Sequence, residues 1–317
     1  MFKNLVKKIL KHPLKLINSI YTYFYYKNSP KRKSIEIDSM IGTGEKVLVL
    51  SPHVDDETIG LGATLLKYKK ADNEMALVYL TDGGGSISDL SRSELVNKRR
   101  KEGERVKEVY GFDSLYFLDE LDGQLDSSNR KLVEKIIDIL EEEKPAIIYT
   151  PFLIDGHRDH VETTKALIKA LEVWNENFDK VYMYEVNCPI IPLLVNSISI
   201  MDEDLYNKKR DKYKIFTSQW AMGFGVFRLL DRRKRWIAKE GFGAEIFVKT
   251  NFKSLFYMEK TLEKADFKPE YFRQLSSEYN LLLSFTTNKA LKEEYSQKIS
   301  SILSKELSNN KILQYEQ

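Results

Sequence analysis

A single cysteine, Cys188, is the only thiol in this chain of 317 residues. That excludes an intramolecular disulfide and a thiolate zinc knuckle, so a metal bound here must be held by histidine and carboxylate. An excess of one charge is also missing. Against 50 lysines and arginines stand 47 aspartates and glutamates, a net charge of +3, and no global field argues for nucleic acid as a partner. No uninterrupted apolar run reaches the length of a secretory core or a membrane span, and no small-residue cleavage pattern is present, so a cytoplasmic location is expected. The glycine-rich stretch Gly83-Gly84-Gly85 is not followed by Gly-x-Gly-x-x-Gly or a Walker lysine, which favours a substrate loop over a phosphate cradle. What remains is the composition of a soluble globular protein, 42% hydrophobic and 31% charged.

Charge is nevertheless uneven along the chain. Lys3, Lys7, Lys8, Lys11 and Lys15 interleave with Phe2, Leu5, Val6, Ile9, Leu10, Leu14 and Ile17, the pattern of a basic amphipathic helix. Its apolar stripe is expected to pack on the main domain; the alternative is peripheral contact with an anionic membrane at its inner face, helped by Tyr21, Tyr23, Phe24, Tyr25 and Tyr26. Pro30 and Lys31-Arg32-Lys33 read as a linker.

From Lys46 onward, short apolar runs alternate with helical patterns. Residues 47–50, 75–80, 115–118, 146–149 and 181–184 read as buried strands, and 58–70, 90–110, 130–143 and 161–174 as amphipathic helices. This predicts an α/β fold, Rossmann-like, with a mostly parallel doubly wound sheet whose ligands sit beyond the carboxyl ends of the strands. Past Asn187 the alternation fades and helical patterns dominate. Residues 1–43 are therefore read as an N-terminal segment, 44–250 as the main domain and 251–317 as a helical C-terminal extension. The apolar, glycine-punctuated stretch from Trp220 to Phe227 reads as core or contact surface before it reads as a ligand groove.

Three of the four histidines fall in two clusters, His53 in Ser51-Pro52-His53-Val54-Asp55-Asp56-Glu57, and His157 with His160 in Asp155-Gly156-His157-Arg158-Asp159-His160. Each follows a predicted strand at the same sheet edge. Imidazole and carboxylate at this spacing suit a divalent ion such as zinc.

These two motifs resemble the LmbE/PIG-L family of zinc-dependent N-acetylglucosaminyl deacetylases, with Val54 where the family has proline. Supporting matches are Thr81-Asp82-Gly83, Arg99 with Glu102, Asp122-Gly123, Lys209, Ser218-Gln219 and Gly243-Ala244-Glu245-Ile246-Phe247, so the resemblance covers residues 44–250. It implies one zinc ion per chain on His53, Asp56 and His160, Asp55 as general base, His157 as electrophilic partner, and Asp159 orienting the His157 ring and favouring its charged form. It also implies an N-acetylated amino sugar as substrate, with Arg99 gripping its hydroxyls or a phosphate. Several members have tyrosine where this chain has Asp155, which reads either as a helix N-cap or as a grip on sugar hydroxyls or a cationic substrate, and Asp82 reads as a substrate contact, a support behind the ligands or a turn former. The alternatives are hydrolysis of another amide, such as an amino-sugar thiol precursor, and a non-hydrolytic, metal-bearing sugar-binding module.

Overall fold

The computed structural model describes residues 2–38 and 41–315, with side chains described between residues 12 and 304. The lysines and apolar residues from Phe2 to Lys11 thus lie outside the described side chains. The chain opens with α1 (Phe2–Asn28) and a two-residue strand, β1 (Glu36–Ile37). It then alternates through β2 (Lys46–Ser51), α2 (Asp56–Lys70), β3 (Glu74–Thr81), α3 (Arg92–Tyr110), β4 (Ser114–Glu120), α4 (Arg130–Glu143), β5 (Ile147–Pro151), α5 (Arg158–Trp174) and β6 (Val181–Tyr184). The remainder is β7 (Ser197–Met201), α6 (Glu203–Lys212), α7 (Phe224–Ala238), β8 (Gly243–Thr250), α8 (Phe252–Lys264), α9 (Leu281–Thr286) and α10 (Lys289–Tyr315), with two short 3-10 turns.

All eight strands form one sheet in the order β1-β7-β8-β6-β5-β2-β3-β4. Strands β2 to β6 are parallel, and β8 alone runs against its neighbours β6 and β7. Strands buried on both faces need no alternation, and residues 47–50 are wholly buried. Helices cover both sides: α4 packs on α5 and α5 on α8, while α2 packs against α3 and α6. The expected mostly parallel, doubly wound α/β fold is what forms. The chain winds from β2 outward to β3 and β4, then returns to β5 on the other side of β2. That reversal puts the topological switch point between β2 and β5, where a crevice opens.

Two strands differ from the sequence-based expectation. β7 and β8 lie where the alternation fades, and Glu245 in the middle of β8 disguises a buried strand. Its carboxylate accepts from the backbone N–H groups of Ala63 and Thr64, both at 2.8 Å, and from Thr64 Oγ1 at 2.6 Å. Lys209 Nζ completes the cluster at 2.8 Å from Glu245 Oε1 and 2.7 Å from Asp231 Oδ2, and donates to the Ile59 carbonyl at 2.9 Å. A buried charge this well partnered ties α2 to β8, α6 and α7 at once. Lys209→Met is expected to cost about 3–5 kcal/mol, because it leaves two buried carboxylates short of a cation; urea unfolding measures it, and a loss below about 1 kcal/mol would show the cluster to be solvated. Close approach also fixes α2 from the sheet side, since a Cβ on Gly60 would stand 2.2 Å from the Tyr184 ring.

The predicted linker is tied down: Lys31 Nζ donates to the Trp236 carbonyl at 2.9 Å, and β1 pairs with β7. The segment after α8 returns to the sheet edge, where Gln274 Nε2 donates to the Gly156 carbonyl at 2.9 Å and Leu275 N–H to the Asn187 carbonyl at 2.7 Å.

Candidate metal and catalytic site

β2 ends at Ser51, and the chain turns sharply through residues 52–55 before α2 begins. Asp55 closes that turn at φ 136° and ψ −22°, a conformation that costs a side-chain-bearing residue about 1–3 kcal/mol. Glu57 holds it there. Its Oε2 accepts from the Asp55 N–H at 3.1 Å and from Ser51 Oγ at 3.3 Å, and its Oε1 accepts from Thr58 Oγ1 at 2.7 Å. The strained turn places His53, Asp55 and Asp56 together at the crevice. On the other side of the switch point, His157 caps α5, its Nδ1 accepting from the Asp159 N–H at 3.2 Å. One helical turn holds His160 on the inward face, fully buried.

His53 Nδ1 lies 3.0 Å from Asp56 Oδ2, and His160 Nε2 lies 3.3 Å from the same oxygen. Ligand atoms on a tetrahedral zinc with bonds of about 2.0–2.1 Å stand about 3.3–3.4 Å apart, so these three fit one ion. The two nitrogens of His160 are each 3.3 Å from a carboxylate oxygen, Asp56 and Asp155, yet neither is aligned for a hydrogen bond. With Nδ1 protonated toward Asp155, the single lone pair of a neutral ring is at Nε2, beside Asp56 and open to a cation. A second grouping, His53 with Asp122, His157 and Asp159, also brings ligand atoms within 4.8 Å. Its lone pairs are more committed, because Asp159 already accepts from the N–H groups of Gly123 at 2.7 Å and Leu125 at 3.1 Å, and His157 Nδ1 is used in its cap.

Electrostatics point the same way. Burial opposes charge on His53 and His160, but the surrounding carboxylates outweigh it; Asp122, Asp159 and Asp56 raise His53, and Asp56 and Asp155 push His160 up to about 10. Burial likewise opposes ionisation of Asp56, yet His160 and His53 hold it well below the usual carboxylate range. Four carboxylates around two imidazoles therefore favour positive charge at this spot, the setting in which a divalent cation is held.

Asp55 is different. Burial pushes its carboxyl up to about 8 against the pull of Arg99, and an added cation nearby pulls in the direction of Arg99. Its Oδ1 is 3.6 Å from Arg99 Nη2, while its buried Oδ2 has no hydrogen-bond partner. Asp55 lines a cavity of about 320 Å³ together with His53, Asp56 and His157. The opposite wall comes from Gly85, Ser86 and Ile87, from Gln219, Ala221 and Met222, and from Gln274, Leu275 and Ser276.

Several sequence-based assignments change. The family resemblance gives Arg99 a grip on substrate, but the residue is wholly buried. It faces Asp55 and Glu102, the latter also at 3.6 Å, and donates to the Gln219 carboxamide oxygen at 2.9 and 3.0 Å. Its helix turns this arginine inward and leaves Arg92, Arg100 and Arg105 to other partners. Asp155 is buried as well; its oxygens accept from the N–H groups of His157 at 2.8 Å and Asn187 at 3.2 Å, so it braces the loop and backs His160. Asp82 forms a turn with the Gly84 N–H at 2.9 Å and pairs with Arg92 at 2.5 Å. Asp159 supports a different ring from the one expected: its Oδ2 meets His53 Nε2 at 3.1 Å, and its contact with His157 is through its own backbone N–H. Nor is the charged form of His157 favoured, since burial, then His53 and His160, push it down to about 4 despite Asp159 and Asp155.

Three contributors were not legible as site residues. Asp122, noted only as a supporting match, sits 3.2 Å from His53 Nε2; Glu57 was given no role; and Gln274 and its neighbours lay in the unassigned extension. The dipeptide Asp122-Gly123 after β4 was the available signal for the first of them.

Comparison with known proteins agrees with this arrangement. Residues 48–171 match the profile of the PIG-L family, described as GlcNAc-PI de-N-acetylase. The diacetylchitobiose deacetylase of Thermococcus kodakarensis is 33% identical over 121 residues, 37% of this chain and 45% of its own length. The probable N-acetyl-alpha-D-glucosaminyl L-malate deacetylase 2 of Bacillus anthracis is 27% identical over 140 residues, 41% of this chain and 61% of its own length. The chain thus spans less than two thirds of either curated relative. Among solved structures, the N,N'-diacetylchitobiose deacetylase of Pyrococcus horikoshii superposes with a TM-score of 0.58 at 23% identity, covering 81% of this chain and 95% of that one, which is a likeness of fold. All three residues that fit one ion, and the aspartate beside them, fall inside the stretch 48–171 that matches the PIG-L (LmbE-like) family.

Proposed function

We propose that this chain is a zinc-dependent amidohydrolase that removes the acetyl group from the nitrogen of an N-acetylated amino sugar, releasing acetate and a free amine. The observation that carries the reading is that Asp55, a buried carboxyl with one oxygen left without a hydrogen-bond partner, shares a cavity wall with His53 and Asp56. Zinc held by His53, Asp56 and His160 supplies Lewis acidity toward the amide oxygen and water. Asp55 takes the proton from water as its oxygen adds to the carbonyl carbon. Arg99 keeps Asp55 aimed. When the C–N bond breaks, the proton held on Asp55 passes to the departing nitrogen, which leaves as the amine. His157, in the cavity wall, faces the developing oxyanion as a donor through its Nε2, with the ring held by its cap at Nδ1. His53 keeps its orientation through Asp159 and Asp122.

The substrate class rests on relatives named as deacetylases of N-acetyl sugars and on a cavity at the small end of the range for ligand sites. Trp220, between two cavity-lining residues and 62% exposed, offers a face for a sugar ring at the mouth. Trp220→Ala is expected to raise KM about tenfold with kcat little changed, since stacking is a uniform binding contribution; steady-state kinetics separate the two. The reading itself is tested by measuring acetate release across free, nucleotide-linked and lipid-linked N-acetyl amino sugars with the zinc-loaded protein. Release from at least one of them supports it. Turnover confined to another amide, such as an amino-sugar thiol precursor, or sugar binding without any turnover, rejects it.

A further inference from the structure

We infer that the outward face of α1 docks this protein onto an anionic lipid bilayer. The helix has two distinct faces over its described side chains. Asn18, Thr22 and Tyr26 are buried, Tyr21 and Tyr25 pack against Phe285 of α9, and Tyr23 packs against Trp236 of α7. This half of the helix is therefore anchored to the body of the protein. On the opposite side Leu16, Ile17, Ile20 and Phe24 stand 63, 48, 50 and 54% exposed. Four large apolar side chains at helical spacing form one stripe, and none is buried. In the sequence the same three-and-four spacing continues from Pro13 back to Ile9, Leu5 and Phe2, and α1 is helical from Phe2 onward.

Charge selects the occupant. The first 35 residues hold nine lysines and arginines and no acidic residue, so the other 282 carry 41 basic against 47 acidic residues. The near-neutral total thus conceals a cationic segment on a slightly anionic body. On an ideal helix the lysines at 3, 7, 11 and 15 fall on the side away from the apolar stripe or on its flank. On the anchored side of the helix, where α1 meets α7, a cavity of about 360 Å³ is lined by Lys15, Arg228 and Arg232, with Glu278 also in its wall. Among the described residues no helix is long and apolar enough to cross a membrane. An exposed apolar stripe on a helix rich in lysine is the arrangement of a helix that lies in the headgroup plane, with basic groups drawn to anionic lipid. A second copy of the chain would bring two cationic segments together, which charge disfavours.

The test is flotation of the full-length protein with phosphatidylcholine vesicles, with and without phosphatidylglycerol. Wild type is expected to float with the anionic vesicles and to be released by salt. A variant carrying Leu16→Ser, Ile17→Ser, Ile20→Ser and Phe24→Ser is expected to lose at least about tenfold in partitioning, with circular dichroism and melting unchanged because these side chains are exposed. The proposal is overturned if wild type does not float with anionic vesicles, or if the fourfold variant floats as well as wild type. It is equally overturned if wild type is a dimer in solution that the fourfold variant converts to monomer, because the stripe is then covered by a second copy.

Discussion

Asp55→Asn is expected to lower the rate of acetate release by about 10²–10⁴-fold, the usual contribution of a positioned general base. The substitution preserves shape and changes chemistry: asparagine also tolerates positive φ, but its carboxamide cannot take a proton from water. KM should change little, because the interaction lost is made in the transition state. Metal content should match the parent, since Asp55 is not among the three residues that fit one ion. Paired measurements of initial rate and bound zinc check this. Undiminished turnover in a folded, zinc-loaded variant would remove Asp55 from the mechanism.

Stripping the metal should have a larger effect. With a chelator present, or in His160→Gln, turnover is expected to fall by at least about a thousandfold, corresponding to the several kcal/mol that a Lewis acid contributes to such a transition state. The two routes differ in what restores activity. Added zinc should rescue the chelated parent fully and leave His160→Gln inactive, because the proposed ligand set takes its third protein ligand from the buried His160 imidazole. Elemental analysis of the purified proteins reads the same contrast directly. A His160→Gln protein that retains one zinc and full activity would shift the ion to the second grouping around Asp122, His157 and Asp159.

Much of this was legible in the sequence because the physics is local. Strands β2, β3, β5 and β6 announce themselves as short apolar runs, since a parallel sheet covered on both faces buries nearly all of their side chains, and the half-buried edge strand β4 still shows the run Leu115 to Leu118. His53 and His160 lie just beyond β2 and β5, so strand order alone brings them to the switch point. What stayed hidden depends on partners distant in the chain. Glu245 makes β8 look polar until Lys209 and the N–H groups of α2 are seen around its carboxylate. Arg99 is one of several arginines on a helix rich in charge, and only the packed fold shows which of them faces Asp55. Asp155 and Asp159 each lie two residues from His157, yet the ring that Asp159 holds belongs to the other motif. The wall built by Gln274 to Ser276 follows no motif, being set by where the chain returns after α8.

The cavity is assembled from two kinds of parts. Its floor, His53, Asp55, Asp56, Asp122 and His157, lies within residues 48–171, whereas Asn187, Gln219 to Met222 and Gln274 to Ser276 enter from beyond that stretch. The residues proposed to break the bond and most of the surface facing them therefore lie on separate lengths of polypeptide. A library randomised at Met222, Gln274 and Ser276 would explore new acyl-amine partners while leaving the ion and its base in place.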